Sequence, residues 1–487
     1  MDDERSSMHV LFAAPELAPF SADGELGELA GSLARGLREL GVQITILTPF
    51  YGGIDADRFG LARRIRKVPV PMGQGQEEVD LLDGKLASAD IDVIFVDHPK
   101  TFQRDGLYGD ASGPYADNHR RFYLFCRAIL SIADELGLHA DVVHAFDWQS
   151  GMLPLMLRKD PAAGSLAPAK ILFSVYDANQ LGVFDRSILD DLPLDHGLFS
   201  PDGIEFFGQV SLLKAGLIYS DGASAASPSY AREIRTEAFG GGLHGLYTAM
   251  GERLHGVLPG IDIGSWNPAT DHRIAERYTS DDLSGKAACK RALQAELKLP
   301  LRPQLPLVAF FAPFTESRGF ELLVETLEHL PQNQLQLAFV GPAGPAEQRL
   351  QQLTAEHAAM VAHRSELDID ATHRTLAGAD AVLIPARYEP GGQLQLKALR
   401  YGAVPVVRGV GGLMDSVVDF DTQTATGTGI RLGDFDVDNV LSSLYRLLAL
   451  HGDQRIWSAL TCNCMRQTFD LRQTAQRYLE IYQGLGG

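Results

Sequence analysis

Positive charge is scarce in this chain: 43 Lys and Arg stand against 62 Asp and Glu, a formal net charge of −19. Such a field repels nucleic acid and anionic membrane surfaces, and neither is expected as a partner. Cysteine is also rare. Cys126, Cys289, Cys462 and Cys464 form no C-x-x-C and no paired framework, which excludes a disulfide scaffold and a zinc ribbon. Cys462 and Cys464 read as helix packing. There is no run of 18 apolar residues, so no membrane span is expected. The start, Met1 to Arg5, is acidic and lacks the basic and apolar regions of a signal peptide, which points to a cytoplasmic protein. A G-x-S-x-G elbow, a P-loop ending in Gly-Lys-Ser/Thr and a metal-spaced His/Cys cluster are all missing, so the chemistries they serve find little support.

What remains is a globular composition, 45% hydrophobic and 22% charged, in a chain of 487 residues. That length exceeds one ordinary core and suits two domains of about 200 to 250 residues. Val10 to Ala14 is a short apolar run, followed by a loop with Gly24 and Gly27. Leu29, Leu33, Leu37 and Leu40 then recur at helical spacing until Gly41, and Val42 to Leu47 is a second apolar run. This strand–loop–helix–strand unit opens a parallel α/β sheet. Ile91 to Val96, Val142 to His144, Ile171 to Val175 and Ala223 to Ala226 continue it.

A similar cycle restarts at Leu307 to Phe311, with a Gly319 loop, a helix to Leu330 and a strand at Leu335 to Val340. Ala381 to Leu383 and Val404 to Val407 follow, and helical patterns dominate from Val437. Two alternating blocks predict two Rossmann-like domains, 8–258 and 259–470, with the last segment 471–487 as a helix. Ligands of such folds sit beyond the carboxyl ends of strands, here in a cleft between domains.

The most informative stretch runs Ala386-Arg387-Tyr388-Glu389-Pro390-Gly391-Gly392-Gln393-Leu394-Gln395-Leu396. It sets one carboxylate and two glycines between a buried strand and an amphipathic helix. Exposed N–H groups where the helix opens at Gln393 suit a phosphate, and glycines admit its close approach. The run resembles the Glu-Pro-Cys-Gly-Leu-x-Gln-Leu loop of bacterial glycogen synthases and plant starch synthases. Tyr401-Gly402-Ala403-Val404-Pro405-Val406-Val407-Arg408-Gly409-Val410-Gly411-Gly412-Leu413-Met414-Asp415 matches that family's next motif. Gly106 to Gly109, Val142 to Trp148, Gly208 to Gly216 and Trp266-Asn267-Pro268 extend the resemblance from about Met8 to Tyr482.

The resemblance implies a GT-B glycosyltransferase whose final helix crosses back to the first domain. It also implies transfer of glucose from ADP-glucose to the 4-hydroxyl end of an α-glucan, with retention of configuration. It assigns Glu389 to the transferred glucose, and Gly391, Gly392, Gln393, Gly411 and Gly412 to backbone contacts with the donor. Gly24 and Arg318 also fall on donor-binding positions. Tyr176 takes the place of the family's reactive-face histidine. Asp147, with His144 and Trp148, falls on the acceptor side, although a buried Trp beside an Asp–His pair is equally good core chemistry.

Several donor positions depart from the family pattern. Its Lys-Thr-Gly-Gly-Leu loop reads Ala22-Asp23-Gly24-Glu25-Leu26 here, and the arginine of its Ser-Arg-Leu motif is Pro313. Arg318 replaces a lysine, and Glu316 adds an acid beside it. A charge-assisted hydrogen bond is worth about 1.5–3 kcal/mol, so two lost cations cost roughly 3–6 kcal/mol, or about 10²–10⁴ in rate. Lys214, His244, Arg253 and Arg387 are the candidate replacements. Three readings follow: a diverged α-glucan synthase, a non-catalytic paralogue that binds glucan or a partner synthase, and a GT-B enzyme with a less charged ligand. A homo-oligomer is compatible with each.

Overall fold

The computed structural model describes residues 8–22, 24–86, 89–331 and 333–486. The chain divides into two compact units: Met1–Pro259 with Leu471–Gly487, and Gly260–Asp470. The end of the chain therefore belongs to the first unit.

Unit 1 is built on nine strands: β1 (His9–Ala13), β2 (Gln43–Pro49), β3 (Ala62–Met72), β4 (Gly75–Leu86), β5 (Ile91–Asp97), β6 (Val142–Phe146), β7 (Lys170–Val175), β8 (Gly222–Ala225) and β9 (Leu254–Gly256). Their order is β9-β8-β7-β6-β1-β2-β5-β4-β3. The strands from β9 to β5 pair in parallel, and those from β8 to β5 are the apolar runs of the sequence, since strands covered on both faces need no alternation. The antiparallel ladder β3–β4 at the edge has no such run. Most of β3 is exposed, and its Arg63, Arg64, Arg66 and Lys67 hide a strand that apolar patterning does not reveal.

The chain leaves β1 for β2 on one side and later returns to place β6 on the other. The β1/β6 boundary is thus the topological switch point, where α/β sheets hold ligands at their carboxyl ends. Helix α1 (Glu25–Glu39) follows β1 and buries Leu26, Leu29, Leu33 and Leu37 along one face.

Unit 2 carries β10 (Leu307–Phe311), β11 (Gln336–Val340), β12 (Val361–Arg364), β13 (Ala381–Ile384), β14 (Val404–Arg408) and β15 (Ile430–Leu432). The order is β12-β11-β10-β13-β14-β15, all parallel, with the switch point between β10 and β13. Helices α2 (Phe320–His329), α3 (Leu394–Arg400) and α4 (Gly411–Ser416) follow β10, β13 and β14.

The closing helix α5 (Leu471–Gly484) packs on α1, as the resemblance implies. Gly36 makes this approach possible: a Cβ there would stand 2.8 Å from Ala475 Cβ and 2.9 Å from the Leu471 carbonyl oxygen. Tyr482 of α5 shares a 2.8 Å hydrogen bond with His144 Nδ1 in β6. Cys462 and Cys464 donate to the carbonyls of Ser280 and Thr428, each at 3.0 Å, as helix-packing thiols. Among the described residues, no helix is long and apolar enough to cross a membrane.

Candidate active site

In unit 2 the two loops at the switch point are tied together. The loop after β10 brings Arg318, and the loop after β13 brings Glu389. An Arg318 Nη1 hydrogen donates to Glu389 Oε2. The carboxylate is buried, whereas the Arg318 side chain keeps a third of its surface exposed. The backbone reinforces the pair. Arg387 N–H donates to the Ser317 carbonyl at 2.7 Å, and Arg408 donates to the Arg387 carbonyl at 2.6 Å. Arg387 itself pairs with Glu316 at 2.9 Å and lies over the Phe435 ring. It therefore offsets the acid introduced at Glu316 and does not replace the cation missing at Pro313.

The glycines around Glu389 divide into two roles. Gly392 has φ 64°, a left-handed conformation that suits glycine and turns the loop into Gln393, the residue preceding α3. Gln395 Nε2 donates to the Gly391 and Gly392 carbonyls at 3.2 and 3.1 Å, which fixes the loop's shape. Gly411 and Gly412 act by lacking a side chain. A Cβ on either would overlap the carbonyl oxygen of Glu389 or Gly391. Gly412 N–H donates to the carbonyls of Glu389 and Pro390 at 3.0 and 3.1 Å, so this amide is engaged within the protein.

Unit 1 has a different strand-end chemistry. Gly24 precedes α1, and Glu25 is the first residue of the helix. The Tyr176 hydroxyl, just past β7, donates to Glu25 Oε2. Two departures from the family pattern, 151 residues apart, thus meet in one hydrogen bond. Tyr108 likewise donates to Glu16 Oε1 at 2.6 Å. Glu16 and Tyr108 carry no distinguishing mark in the sequence beyond the motif that contains Tyr108. Asp23 lies outside the described residues.

Asp147 follows β6 with φ 55° and is buried, 4% exposed. Its Oδ1 meets no hydrogen-bond partner among the described residues. Burial first, and Asp177 next, push its carboxyl well above the usual carboxylate range. His144, one of three candidate acceptor contacts, is instead core. It is fully buried, bonded to Tyr482 and to Ser174 Oγ at 2.6 Å, and burial lowers its imidazole to about 3. Trp148 packs edge-on against Phe122 at 5.2 Å.

Lys214 was a candidate replacement cation. Its Nζ clamps the carbonyls of Pro201 and Glu205 at 2.7 Å each, and so it braces a loop.

Two α/β units built on parallel strands, with the last helix returned to the first, define the class: a GT-B glycosyltransferase. Comparison with known proteins narrows it. Residues 9–249 match the starch synthase catalytic domain, and residues 295–439 match glycosyl transferases group 1. The glycogen synthase of Anaeromyxobacter sp. (strain Fw109-5) is 40% identical, over 98% of this chain and 99% of that one. That of Myxococcus xanthus (strain DK1622) is 37% identical, over 98% and 99%. The catalytic domain of Starch Synthase IV from Arabidopsis thaliana, solved with ADP and acarbose, superposes with a TM-score of 0.90 at 28% identity, covering 98% of this chain and 99% of that one. The chain belongs to the glycogen synthase and starch synthase family.

Proposed function

We propose that the protein is a retaining glucosyltransferase that moves glucose from ADP-glucose to the non-reducing end of an α-1,4-glucan. The observation that carries this reading is the Arg318–Glu389 pair at the switch point of unit 2. Family membership over the whole chain supports it, as does the ADP and acarbose bound by the starch synthase relative.

The pair suits a donor with a diphosphate leaving group. When the donor enters, the partly exposed guanidinium of Arg318 turns from Glu389 to the diphosphate and neutralises it. Glu389 then faces the sugar. As the bond from C1 to the diphosphate oxygen breaks, the carboxylate stabilises the positive character on the ring. The acceptor 4-hydroxyl oxygen bonds to C1 on the same face, and its proton leaves with the diphosphate. Gly391, Gly392 and Gln393 shape the loop that holds Glu389 in place. In this reading the protein works in the cytoplasm on a glucan chain, alone or beside a partner synthase.

A second reading, a non-catalytic glucan-binding paralogue, draws on one observation: unit 1 sets the Glu25 carboxylate at the start of α1. The test is incorporation of labelled glucose from ADP-glucose into glycogen by purified protein, with Glu389→Ala as control. Incorporation that the substitution abolishes supports the synthase. Failure to incorporate, with glycogen binding retained, sinks it and leaves the binding paralogue.

A further inference from the structure

Four carboxyl groups gather at the strand ends of unit 1. Glu16 and Glu25 follow β1, Asp147 follows β6 and Asp177 follows β7. Three of them act on one another: Asp177 and Glu16 both raise the Asp147 carboxyl. Phenols hold two of them, Tyr108 on Glu16 and Tyr176 on Glu25. Asp147 adds a separate observation, since its Oδ1 is buried without a hydrogen-bond partner among the described residues. A buried oxygen left unsatisfied at a sheet's switch point points to a ligand hydroxyl or a water that completes it.

The start of α1 is the telling place. A 15-residue helix leaves N–H groups and partial positive charge at its N-terminus, which ordinarily draws an anion. Here the helix brings its own, with Glu25 and Glu28 in its first turn. Apart from its two chain neighbours, a Cβ on Gly24 would meet no described atom within 4 Å. A diphosphate arriving there meets like charge, whereas a sugar hydroxyl meets an acceptor.

We propose that Glu25, oriented by Tyr176, is a specificity-determining residue: its carboxylate takes the anion position at the start of α1, turns diphosphate away from unit 1, and leaves that strand-end site to uncharged carbohydrate. The inference rests on the glucosyltransferase reading, which supplies the diphosphate and glucan as the competing ligands. It also assigns the leaving group's neutralisation to the cations of unit 2.

The experiment is calorimetric titration of the full-length protein and its Glu25→Gln variant with ADP and, separately, with maltohexaose. Removing one like charge near a phosphate should tighten ADP by roughly tenfold, while maltohexaose affinity changes by no more than about threefold. Glu25→Ala, a second variant should the amide disturb folding, should move ADP affinity in the same direction. Tyr176→Phe keeps the charge and should leave ADP weak. Equal ADP affinity in wild type and both Glu25 variants, binding by none of them included, overturns the proposal. So does tightening by Tyr176→Phe as large as that by Glu25→Gln. Labelled-glucose transfer separates the two claims. Transfer by wild type with unchanged ADP affinity in the variants rejects the role of Glu25 and keeps the synthase. Tighter ADP in the variants without any transfer does the reverse.

Discussion

The switch points of the two units make the same kind of corner and fill it with opposite chemistry. In unit 2 each acid brought to the corner meets a guanidinium, Glu389 with Arg318 and Glu316 with Arg387. In unit 1 two of the four acids meet phenols instead, Glu16 with Tyr108 and Glu25 with Tyr176. A paired cation can be lent to an incoming phosphate, but a phenol has no charge to lend. One sheet topology therefore supports two binding characters, because topology places the loops while side chains set their charge.

Glu389→Ala should lower glucosyl transfer by roughly 10³-fold, the scale of losing one preorganised electrostatic contact. Measured transfer within tenfold of wild type would remove Glu389 from the chemistry. Arg318→Ala should cost about 10²-fold in kcat/KM for ADP-glucose, and Arg318→Lys should restore part of it, since lysine keeps the charge and loses the planar fork.

A third prediction concerns unit 1. His144 is held neutral by burial, its imidazole lowered to about 3 from the ordinary value of 6.5. The unfolded chain takes up that proton first as pH falls. The stabilisation is therefore complete above pH 6.5 and is lost progressively toward pH 3, at up to about 1.4 kcal/mol per pH unit. Denaturant melts at several pH values should show a shallower acid slope in His144→Gln. An unchanged slope would mean that His144 is not the titrating group.

Gly36→Ala sharpens the packing side of unit 1. Its new Cβ crowds Ala475 and Leu471, and the loss expected in a urea melt is about 1–3 kcal/mol. Arg387→Ala is the smallest: its pair with Glu316 is exposed, so stability should change by under about 1 kcal/mol. A larger loss would show that the cation's stacking on Phe435 matters more than the ion pair.

The buried parallel strands were legible because covered strands are continuous apolar runs. The β3–β4 ladder was not, because an exposed antiparallel edge carries Arg and Lys where the core strands carry Val and Ile. The short β12, with His363 and Arg364, and the three-residue β9 and β15 escape for want of length. At the site, the Glu389 loop stood out through its glycines and its spacing to Gly411-Gly412. Its internal use of the Gly412 amide did not, since a backbone donor looks the same in sequence whether free or engaged.

Residues read in order reveal the alternation of strand and helix, and the motifs' resemblance implies the GT-B architecture and the family, because periodicity and motifs are local properties. Folding alone brings Glu25 to Tyr176 across 151 residues and Arg318 to Glu389 across 71. It also decided that His144 is core and that Lys214 is a brace. Partnership and burial are properties of folded space. The charge a loop offers a ligand depends on which side chain reaches it, and local sequence does not encode that.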